Sequence, residues 1–481
     1  MIRSLGFRAT QKTVDAPPSP TFRNERKISG NPRPRDPISM QPKGLDNSCA
    51  EVSMPTSSVS SSILENYARR TSAALEILII ALATCFVTSA AFAQTNFTIY
   101  SFTGSQSGIF PDGSLTLGKD VAYGTTLDGG KMGFGAVYRL TAKGTESFVY
   151  SFEGGSLDGA GPSGNLARDQ AGNVYGTTQG GGTCQQNNGN CGTVFKIDST
   201  GHESILYSFQ PGTDDGENPG SGVVLGPDGN LYGPAQGGEF EQGVIFKVNP
   251  TTGRESIFYQ FGTISGDGIN PFGAVTFDSA GNMYGVAQYG GACSSSGGTL
   301  FKITPSGVES TLHSFCVGDT NGATPNGPVA LDTAGDIYGA TQQGGDLTCP
   351  DSFAPGIGCG TVFKETPAGQ FSVVHAFAGA PSDGAGDPGV AAGGGLGVIS
   401  DAAGNTYGIT QFGGAGTGLG NGAIFEVAKG TTYKVLHIFQ GSPNDGSQPQ
   451  APLVYLSGSV YGTTIQGGSS NLGTAFRLGL K

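Results

Sequence analysis

Gly-Asn-Leu-Tyr-Gly at residues 229–233, a short Gly-Gly loop, and Gly-Val-Ile-Phe-Lys-Val at residues 243–248 form the stretch that decides the fold of this chain. Close copies of this stretch recur along the sequence at intervals of 52 to 69 residues. Aligned on the Tyr-Gly pair, the seven copies lie at Tyr123, Tyr175, Tyr232, Tyr284, Tyr338, Tyr407 and Tyr461. A repeat of this length indicates a solenoid or propeller rather than a set of unrelated domains.

Each copy contains four short segments of strand character. In the third copy they are Val223–Leu225, Asn230–Tyr232, Val244–Val248 and Ser256–Phe261, separated by Gly, Asn and Asp turns. β-Branched and aromatic runs between such turns are typical of strands, and residues 94–481 show no helical period. We therefore predict an all-β fold, a seven-bladed β-propeller of four-stranded antiparallel blades.

The two ends of the repeat region predict how the ring closes. Phe97–Phe102 matches a fourth strand with no first three before it, and Thr474–Leu478 matches a third strand with no fourth after it. We expect the N-terminal strand to complete the last blade, which leaves no open sheet edge between the ends. Residues 94–481 are then the propeller.

The first 93 residues differ in character from the repeats. Residues 1–68 are rich in Pro, Ser and Arg, so we expect disorder there, or translation that begins at Met54. Residues 69–93 join Arg69-Arg70, an apolar run and Ala91-Phe92-Ala93, which is typical of a signal peptide. The alternative is an uncleaved anchor. Because the apolar run is short for a membrane span, we expect no stable membrane insertion after cleavage, and a secreted, periplasmic or cell-surface protein.

Charge narrows the classes of partner. The first 93 residues hold 11 of the 25 basic and 7 of the 37 acidic residues, so residues 94–481 keep 14 basic and 30 acidic residues. Such an acidic surface repels phosphate backbones and anionic membranes. We expect no nucleic-acid partner and a monomer.

Six cysteines follow residue 93, an even number in a chain expected to be exported, where disulfides persist. Two pairs each lie within one loop, and two cysteines remain. The predicted disulfides are Cys184 with Cys191 and Cys349 with Cys359, and whether the remaining Cys293 and Cys316 pair with each other is left open. A zinc site is disfavoured, because no Cys-x-x-Cys occurs and no His neighbours a pair.

Several repeated polar residues resemble sites but are interpreted as scaffold. Asp-Gly-x-x-Pro recurs between blades, which indicates a turn with Asp at its start; a Ca²⁺ site is the alternative, and no other cofactor is expected. The motif begins at Asp158, Asp215, Asp267 and Asp445. His313, His375 and His437 occupy the position that Tyr holds in other copies, so we predict packing rather than metal binding.

A second set of repeated acidic residues opens the fourth strands: Glu146, Glu203, Glu255 and Glu309. We predict that they form a solvated turn face. The chain contains no Gly-x-Ser-x-Gly elbow, phosphate loop or His-Glu-x-x-His motif that would indicate catalysis.

The loops that vary among copies cluster in the fifth and sixth blades. They are Gln342–Cys359, Ala378–Leu396 and Gln411–Asn421. Loops on a rigid scaffold are where binding residues concentrate, so we hypothesise a patch for an extracellular ligand, a glycan or a protein. The patch residues are Asp346, Asp351, Phe353, Asp383, Asp387 and Phe412. The alternative is that these loops are tolerated surface insertions.

The repeats resemble the tandem GloVer repeats of bacterial choice-of-anchor proteins. The matching residues are Gly172–Thr178, Gly192–Ile197, and Tyr207-Ser208-Phe209 followed by Asp215-Gly216-x-x-Pro219. The resemblance covers residues 95–481 and implies an exported or surface protein, without catalytic residues to carry over. Many members end in an anchoring segment that this sequence lacks, which implies a released or periplasmic protein.

These observations favour an extracytoplasmic binding, adhesion or interaction scaffold. The alternative is a propeller enzyme of lactonase, sugar-lyase or cyclase type with an axial active site. An enzyme would need non-repeated polar residues that converge on the axis, and the apolar first-strand segment Val329-Ala330-Leu331 counts against it. A purely structural envelope protein is the third class.

Overall fold

Thirty-five strands and no helix make up the part of the chain that the computed structural model describes. The described residues are 96–104, 108–141, 143–183, 191–210, 214–293, 296–349, 356–380, 383–385, 397–414 and 420–480. The strands belong to the unit Ala90–Lys481. They form seven antiparallel sheets of four or five strands in a ring, with two additional two-stranded sheets, which confirms the seven-bladed β-propeller.

The strand bounds follow the seven repeats. In chain order they are β1 (Asn96–Ser101); in blade 1, β2 (Thr116–Leu117), β3 (Val121–Thr126), β4 (Ala136–Thr141) and β5 (Glu146–Ser151); in blade 2, β6 (Gly159–Arg168), β7 (Val174–Gly181), β8 (Thr193–Ile197) and β9 (Glu203–Ser208); in blade 3, β10 (Gly216–Glu217), β11 (Val224–Leu225), β12 (Leu231–Gly237), β13 (Val244–Val248) and β14 (Glu255–Gln260); in blade 4, β15 (Gly268–Pro271), β16 (Thr276–Phe277), β17 (Met283–Gly290), β18 (Ser296–Ile303) and β19 (Glu309–Cys316); in blade 5, β20 (Ala323–Pro325), β21 (Ala330–Leu331), β22 (Ile337–Gln343), β23 (Thr361–Glu365) and β24 (Phe371–Ala376); in blade 6, β25 (Gly384–Ala385), β26 (Val398–Ser400), β27 (Thr406–Thr410), β28 (Phe412–Gly413), β29 (Ala423–Ala428) and β30 (Thr432–Ile438); in blade 7, β31 (Gly446–Ser447), β32 (Val454–Leu456), β33 (Ser459–Thr464), β34 (Gln466–Gly467) and β35 (Thr474–Gly479).

Within a blade the strands pair in sequence order, as in β6-β7-β8-β9 of blade 2. In blades 3, 4 and 5 the first strand is split into two short pieces that both pair with the second strand. The first strands therefore lie on one edge of each sheet, and they surround the axis of the ring.

The repeated Tyr-Gly pair is explained by contacts inside each blade. In blade 3, Gly233 pairs with Phe246 across β12 and β13, and a Cβ on Gly233 would collide with the Phe246 ring. The Tyr232 hydroxyl donates to Asp228 in the preceding turn at 3.0 Å, and Lys247 Nζ lies 5.4 Å from the Tyr232 ring centroid. The stretch thus fixes the middle hairpin of a blade: Tyr ties it to the turn, and Gly makes room for Phe.

A belt of aromatic pairs joins neighbouring blades. A Phe at the end of the fourth strand of one blade, or directly after it, packs against a ring in the third strand of the next, as in Phe209 against Phe246 at 5.1 Å. The seven pairs are Phe102–Tyr138, Phe152–Phe195, Phe209–Phe246, Phe261–Phe301, Phe315–Phe363, Phe377–Phe425 and Phe439–Phe476. Such pairs contribute about 0.5–1.5 kcal/mol each beyond their buried area, so the core runs continuously around the ring.

The ring closes as the ends of the repeat region predict. Strand β1 pairs antiparallel with β35, with Phe97 opposite Arg477 and Ser101 opposite Thr474. Phe102, which follows β1, packs on Tyr138 of blade 1 with ring centroids 5.2 Å apart. The N-terminal strand therefore completes blade 7 and buries an aromatic ring against blade 1.

The predicted disulfide Cys349–Cys359 is confirmed, and Cys293 and Cys316 also form a disulfide, with Cα atoms 5.8 and 5.6 Å apart respectively. Cys191 is also disulfide-bonded, while its predicted partner Cys184 lies outside the described residues. These bonds suggest an oxidising, extracytoplasmic environment. Within the described ranges, the chain forms no helix that is long and apolar enough to span a bilayer.

Candidate functional site: the axial funnel

A cavity of about 430 Å³ lies at the axis of the ring, on the face that carries the loops between blades and between second and third strands. We call it the axial funnel. Blades 1 to 5 and blade 7 contribute described residues to its wall. Its polar side chains are Asp112, Asn165, Gln179, Asn218, Ser221, Gln236 and Gln450. Its larger apolar side chains are Phe110, Leu127, Phe272 and Ile465.

The wall is positioned by the proline that opens each blade. The residue before this proline adopts a left-handed conformation, with φ of +48° at Asn218 and +57° at Asn270. Its backbone N–H donates to the loop of the preceding blade, from Asn218 to Cys191 O at 3.3 Å and from Asn270 to Gln242 O at 2.7 Å. This bond fixes the position along the axis at which the first strand of each blade begins. The residues that flank the proline form the funnel wall.

The floor of the funnel is narrow because neighbouring first strands approach each other closely. Gly164 has a φ of +73°, and a Cβ at this position would collide with the Ser221 backbone. Gly273 has a φ of +87°, and a Cβ there would collide with the Gly327 backbone. Only glycine fits both the conformation and the space. Below this constriction a second cavity, of about 610 Å³, is lined by first-strand residues from all seven blades.

Asp112 is the ionisable residue among the described wall residues of the funnel. It is half-buried because it borders the cavity, and no described residue hydrogen-bonds its carboxylate. Burial among surrounding protein atoms raises the pKa of this carboxyl to about 6, since desolvation disfavours the charged form. A carboxylate without a partner in a concave pocket is typical of a functional site.

Amide side chains form most of the remaining polar wall. A glutamine follows the Tyr of the second strand by four residues in blades 2 to 6: Gln179, Gln236, Gln288, Gln342 and Gln411. Gln179 Nε2 donates to Ser163 Oγ at 3.2 Å, and Asn218 Nδ2 donates to Gln236 Oε1 at 3.2 Å. Each amide has two donor hydrogens and an acceptor oxygen, more than these bonds use.

Asn326 adds an unsatisfied amide beside the funnel. It occupies the position after the blade-opening proline in blade 5 and precedes Gly327, which lines the cavity. Its side chain is 1% exposed, and neither Oδ1 nor Nδ2 has a hydrogen-bond partner within the described part of the chain. A buried unpaired polar group costs about 1–3 kcal/mol, which a structural role alone does not explain.

The face around the funnel also carries most of the exposed large apolar side chains. Of the eleven among the described residues, seven lie in its loops or at strand ends facing it: Met132, Phe134, Leu157, Phe240, Ile264, Tyr289 and Val317. Leu157 is 86% exposed. Exposed apolar residues gathered on one face are typical of interaction surfaces.

The hypothesised loop patch in blades 5 and 6 is only partly described. Asp346 is partly exposed, and its carboxylate accepts a hydrogen bond from Thr348 N in an exposed turn. Phe412 is 7% exposed and belongs to a hydrophobic core cluster. Asp383 is 9% exposed and accepts hydrogen bonds from side chains of the scaffold. Asp351, Phe353 and Asp387 lie outside the described residues. The patch stays a prediction, with Asp383 and Phe412 turned inward.

The Asp of the Asp-Gly-x-x-Pro motif is an internal acceptor. Asp215 Oδ2 accepts from the Tyr207 hydroxyl at 2.6 Å and from Gln210 N at 2.9 Å, and Asp215 Oδ1 accepts from Gly216 N at 2.8 Å. Both oxygens are used within the turn, which supports the turn interpretation over a Ca²⁺ site. The described residues contain no group of three or more His, Cys, Asp or Glu side chains that could hold a metal ion.

Histidine takes the role of this tyrosine in two later blades. His375 Nε2 lies 2.8 Å from Asp383, and His437 Nε2 lies 2.9 Å from Asp445. In blade 4 the Asp is replaced by Asn321, and His313 Nε2 is buried without a partner among the described residues. Instead the His313 ring stacks on Phe371 at 3.7 Å. The three histidines therefore serve separate blade junctions.

The prediction that the fourth-strand glutamates form a solvated face is wrong. Glu203, Glu255 and Glu309 each have a carboxylate oxygen buried without a partner in the described residues. Burial, and the charge of the preceding blade's Asp158, raise the pKa of Glu203 to about 7. The sequence pattern misled because the fourth strand is outermost in its own blade but is covered by the adjoining blade.

Sequence reasoning also missed the funnel residues. The position directly after the blade-opening proline differs among blades, whereas its neighbours repeat: it is Asp112, Ser163, Gly220, Phe272, Asn326 and Gln450 in six of them. This contrast is the signal that could have located the site. The apolar segment Val329-Ala330-Leu331, which in the sequence counts as an argument against an axial active site, lines the second cavity and not the funnel.

The family model for the Gloeobacter/Verrucomicrobia repeat matches residues 84–235 and 183–395. The chain belongs to this repeat family. The match spans more than half of the sequence and confirms the resemblance to GloVer repeats. Among curated proteins, none matches the chain.

Solved structures with a similar fold share little sequence with this repeat protein. An oligogalacturonate lyase in complex with manganese is 12% identical, with 78% of this chain and 90% of that chain covered and a TM-score of 0.45. An aldose sugar dehydrogenase from Streptomyces coelicolor is 11% identical, with 80% and 96% covered and a TM-score of 0.38. A chain of a nidogen/laminin complex is 13% identical, with 65% and 89% covered and a TM-score of 0.37. At these levels the likeness concerns the propeller fold alone.

Proposed function

We propose that this repeat protein is an extracytoplasmic binding protein and that its ligand occupies the axial funnel. The observation that carries the proposal is the funnel itself: six blades line one cavity, and four of them contribute polar side chains, among them an unpaired carboxylate. Repetition accounts for the scaffold residues, but it does not account for Asp112 or Gln450, whose counterparts in other blades differ. A cavity of about 430 Å³ falls within the range of small-ligand sites.

The exposed apolar residues support a role for the whole face. Phe134 and Leu157 flank the junction of blades 1 and 2, and Phe240 and Ile264 lie in loops of blades 3 and 4. A ligand larger than the funnel, such as a polymer or a protein loop, would contact these side chains beyond the cavity. The loop patch of blades 5 and 6 is proposed as a further contact region on the same face.

Export is part of the proposal. The signal-peptide pattern at residues 69–93 and the disulfides support it. The test is to express the full chain in a Gram-negative host and to determine the N-terminus and compartment of the product. A mature N-terminus at Gln94 in the periplasm is expected. A cytoplasmic product that keeps Arg69-Arg70 would refute export.

An enzyme is the second candidate, favoured by one observation. The pKa of Asp112, raised to about 6 by burial, suits a general base near neutral pH. Against it, the described wall holds no second ionisable group that could act as a partner acid. The two candidates differ in turnover: an Asp112→Asn variant of an enzyme would bind a substrate without converting it, whereas a binding protein converts nothing in either form.

The binding test compares the same substitution, Asp to Asn, at two positions of blade 1, one before β2 and one in the turn after it. Asp112 lines the funnel, and Asp120 lies exposed in the turn on the opposite face of blade 1. Full-length protein with Asp112→Asn or Asp120→Asn would be screened beside the natural chain on glycan and peptide arrays. We expect Asp112→Asn alone to change the binding profile. Profiles that are the same for all three proteins would refute the funnel as the binding site.

The loop patch has its own test. Replacement of residues 351–355 by glycine and serine keeps the Cys349–Cys359 disulfide and removes Asp351 and Phe353. A reduced affinity for a polymeric ligand, with unchanged affinity for a fragment that fits the funnel, would place the patch in the extended site. Unchanged affinity for both would remove it from the proposal.

A further inference from the structure

We infer that the ligand of the axial funnel is a neutral polyhydroxylated compound, a saccharide or a segment of a neutral polysaccharide. The inference rests on the proposed function and names the chemistry of that same site. It follows from three properties of the wall: its hydrogen-bonding groups, its charge, and its apolar side chains.

The hydrogen-bonding groups of the wall match hydroxyl groups. A hydroxyl both donates and accepts, so it needs partners of both kinds at close spacing. Gln236 and Gln450 offer amide donors and acceptors, and Asp112 offers a strong acceptor. An apolar ligand would leave these groups without partners.

The charge of the wall excludes anionic ligands. The described wall contains no Lys, Arg or His, and residues 94–481 carry 30 acidic against 14 basic residues. Phosphate, sulfate and carboxylate groups are bound by guanidinium and ammonium groups or by exposed backbone donors at helix ends, and the described part of the chain has no helix. A phosphorylated sugar or a uronate polymer would meet no cationic side chain in the described wall, and the Asp112 carboxylate would repel it.

The apolar residues of the wall suit the carbon face of a sugar ring. Phe110 and Phe272 are half-buried and border the cavity. Their positions before and after blade-opening prolines place them among the polar wall residues rather than apart from them. A saccharide presents hydroxyls at its rim and C–H groups on its faces, so one ligand can contact both kinds of group. Mixed walls of this type give orientation through polar contacts and affinity through apolar area.

The chain contains no tryptophan, which provides a direct probe of the funnel. A Phe272→Trp variant of the full-length protein carries a single indole at the cavity wall. Its fluorescence would be titrated with neutral oligosaccharides (cello-, malto- and xylo-series), with glucose 6-phosphate and oligogalacturonate, with glucosamine, and with an apolar naphthalene dye. We expect a saturable change with at least one neutral series and none with the other four probes.

Substitutions then separate the ligand class from the site. Binding of the neutral oligosaccharide would be measured by calorimetry on the natural chain and on single variants. We expect Asp112→Asn and Gln450→Ala each to weaken it tenfold or more, and Asp120→Asn to leave it unchanged. Thermal unfolding of each variant checks that the fold is kept.

Two results would overturn the inference in different ways. If an anionic, amino or apolar probe binds and the binding depends on Asp112 and Gln450, the ligand class is wrong while the funnel remains the binding site. If no probe shows binding that depends on Asp112 or Gln450, the funnel is not a ligand site, and the proposed function fails with it.

Discussion

Replacement of Asp112 by asparagine should stabilise the protein at neutral pH while it weakens ligand binding. The carboxyl has no hydrogen-bond partner among the described residues, and burial raises its pKa from the ordinary 3.8 to about 6. In the unfolded chain the group ionises near 3.8, so ionisation favours the unfolded state between these two values. The stability of the natural protein therefore falls as the pH rises from about 4 through 6.

The magnitude follows from the two pKa values. Each pKa unit corresponds to about 1.4 kcal/mol, so the charged Asp112 costs about 3 kcal/mol of unfolding free energy at pH 8. At pH 4 the cost is below about 1 kcal/mol, because the carboxyl is then protonated in the folded state and only about half ionised in the unfolded state. Asparagine has the shape of the protonated carboxyl and carries no charge. The Asp112→Asn variant should gain about 3 kcal/mol at pH 8 and little at pH 4.

Urea unfolding of the full chain at pH 4, 5, 6, 7 and 8, followed by circular dichroism, measures this difference. The other buried carboxylates titrate in both proteins and cancel from the comparison. Asp120→Asn, an exposed change in the same blade, is the control and should show no such dependence on pH. A variant that is less stable than the natural protein at pH 8, or a difference that does not vary with pH, would show that Asp112 is not held at a desolvation cost.

Four further predictions concern the scaffold. Glu203→Gln should raise the urea midpoint more at pH 8 than at pH 5, because burial raises the pKa of Glu203 from the ordinary 4.5 to about 7; an equal gain at both pH values would contradict the assigned burial. Asp383→Asn should lower the thermal midpoint, at a cost of about 3 kcal/mol, since Asp383 accepts from His375, Tyr433 and two backbone N–H groups, whereas Asp346→Asn, in an exposed turn, should not. Deletion of residues 96–102 should expose the β35 edge and the Tyr138 ring and so give soluble aggregates in size-exclusion chromatography; a monomeric, cooperatively folded product would show that β1 is dispensable. The double variant Cys349→Ser, Cys359→Ser should lose about 3 kcal/mol of unfolding free energy, as expected for a loop of this length. Reduction of the natural protein should lower its unfolding free energy, measured with urea, by at least as much.

These predictions separate two kinds of buried carboxylate in one fold. Asp383 and Asp215 are held by hydrogen bonds from the fourth strand and the backbone, so their removal breaks a junction. Asp112 has no such partner, so its replacement by asparagine is expected to increase the stability of the folded protein. A group that costs stability in the free protein is expected where it serves a ligand, because binding sites are drawn from locally unfavourable arrangements.

The repeat determined most of the fold from the sequence alone. The spacing of the Tyr-Gly pairs, the strand segments between turns and the incomplete first and last copies predicted seven blades and the role of β1. Each of these patterns is recognised from residues close in sequence, because a strand or a hairpin is encoded by neighbouring residues. The disulfide Cys349–Cys359 was predicted for the same reason, because its partners are 10 residues apart, whereas the pairing of Cys293 with Cys316, 23 residues apart, was decided by the structure.

What only the tertiary structure decided is which residues meet across the ring. Asp112, Gln236 and Gln450 are more than 100 residues apart in sequence and share a cavity because the ring closes around one axis. The burial of Glu203 likewise depends on the adjoining blade, so no period within a single blade could reveal it. The repeat predicts the role of each scaffold residue, because equivalent positions in all blades have the same role. Which non-repeated side chains face one another depends on the closure of the ring, which the sequence of a single blade does not reveal.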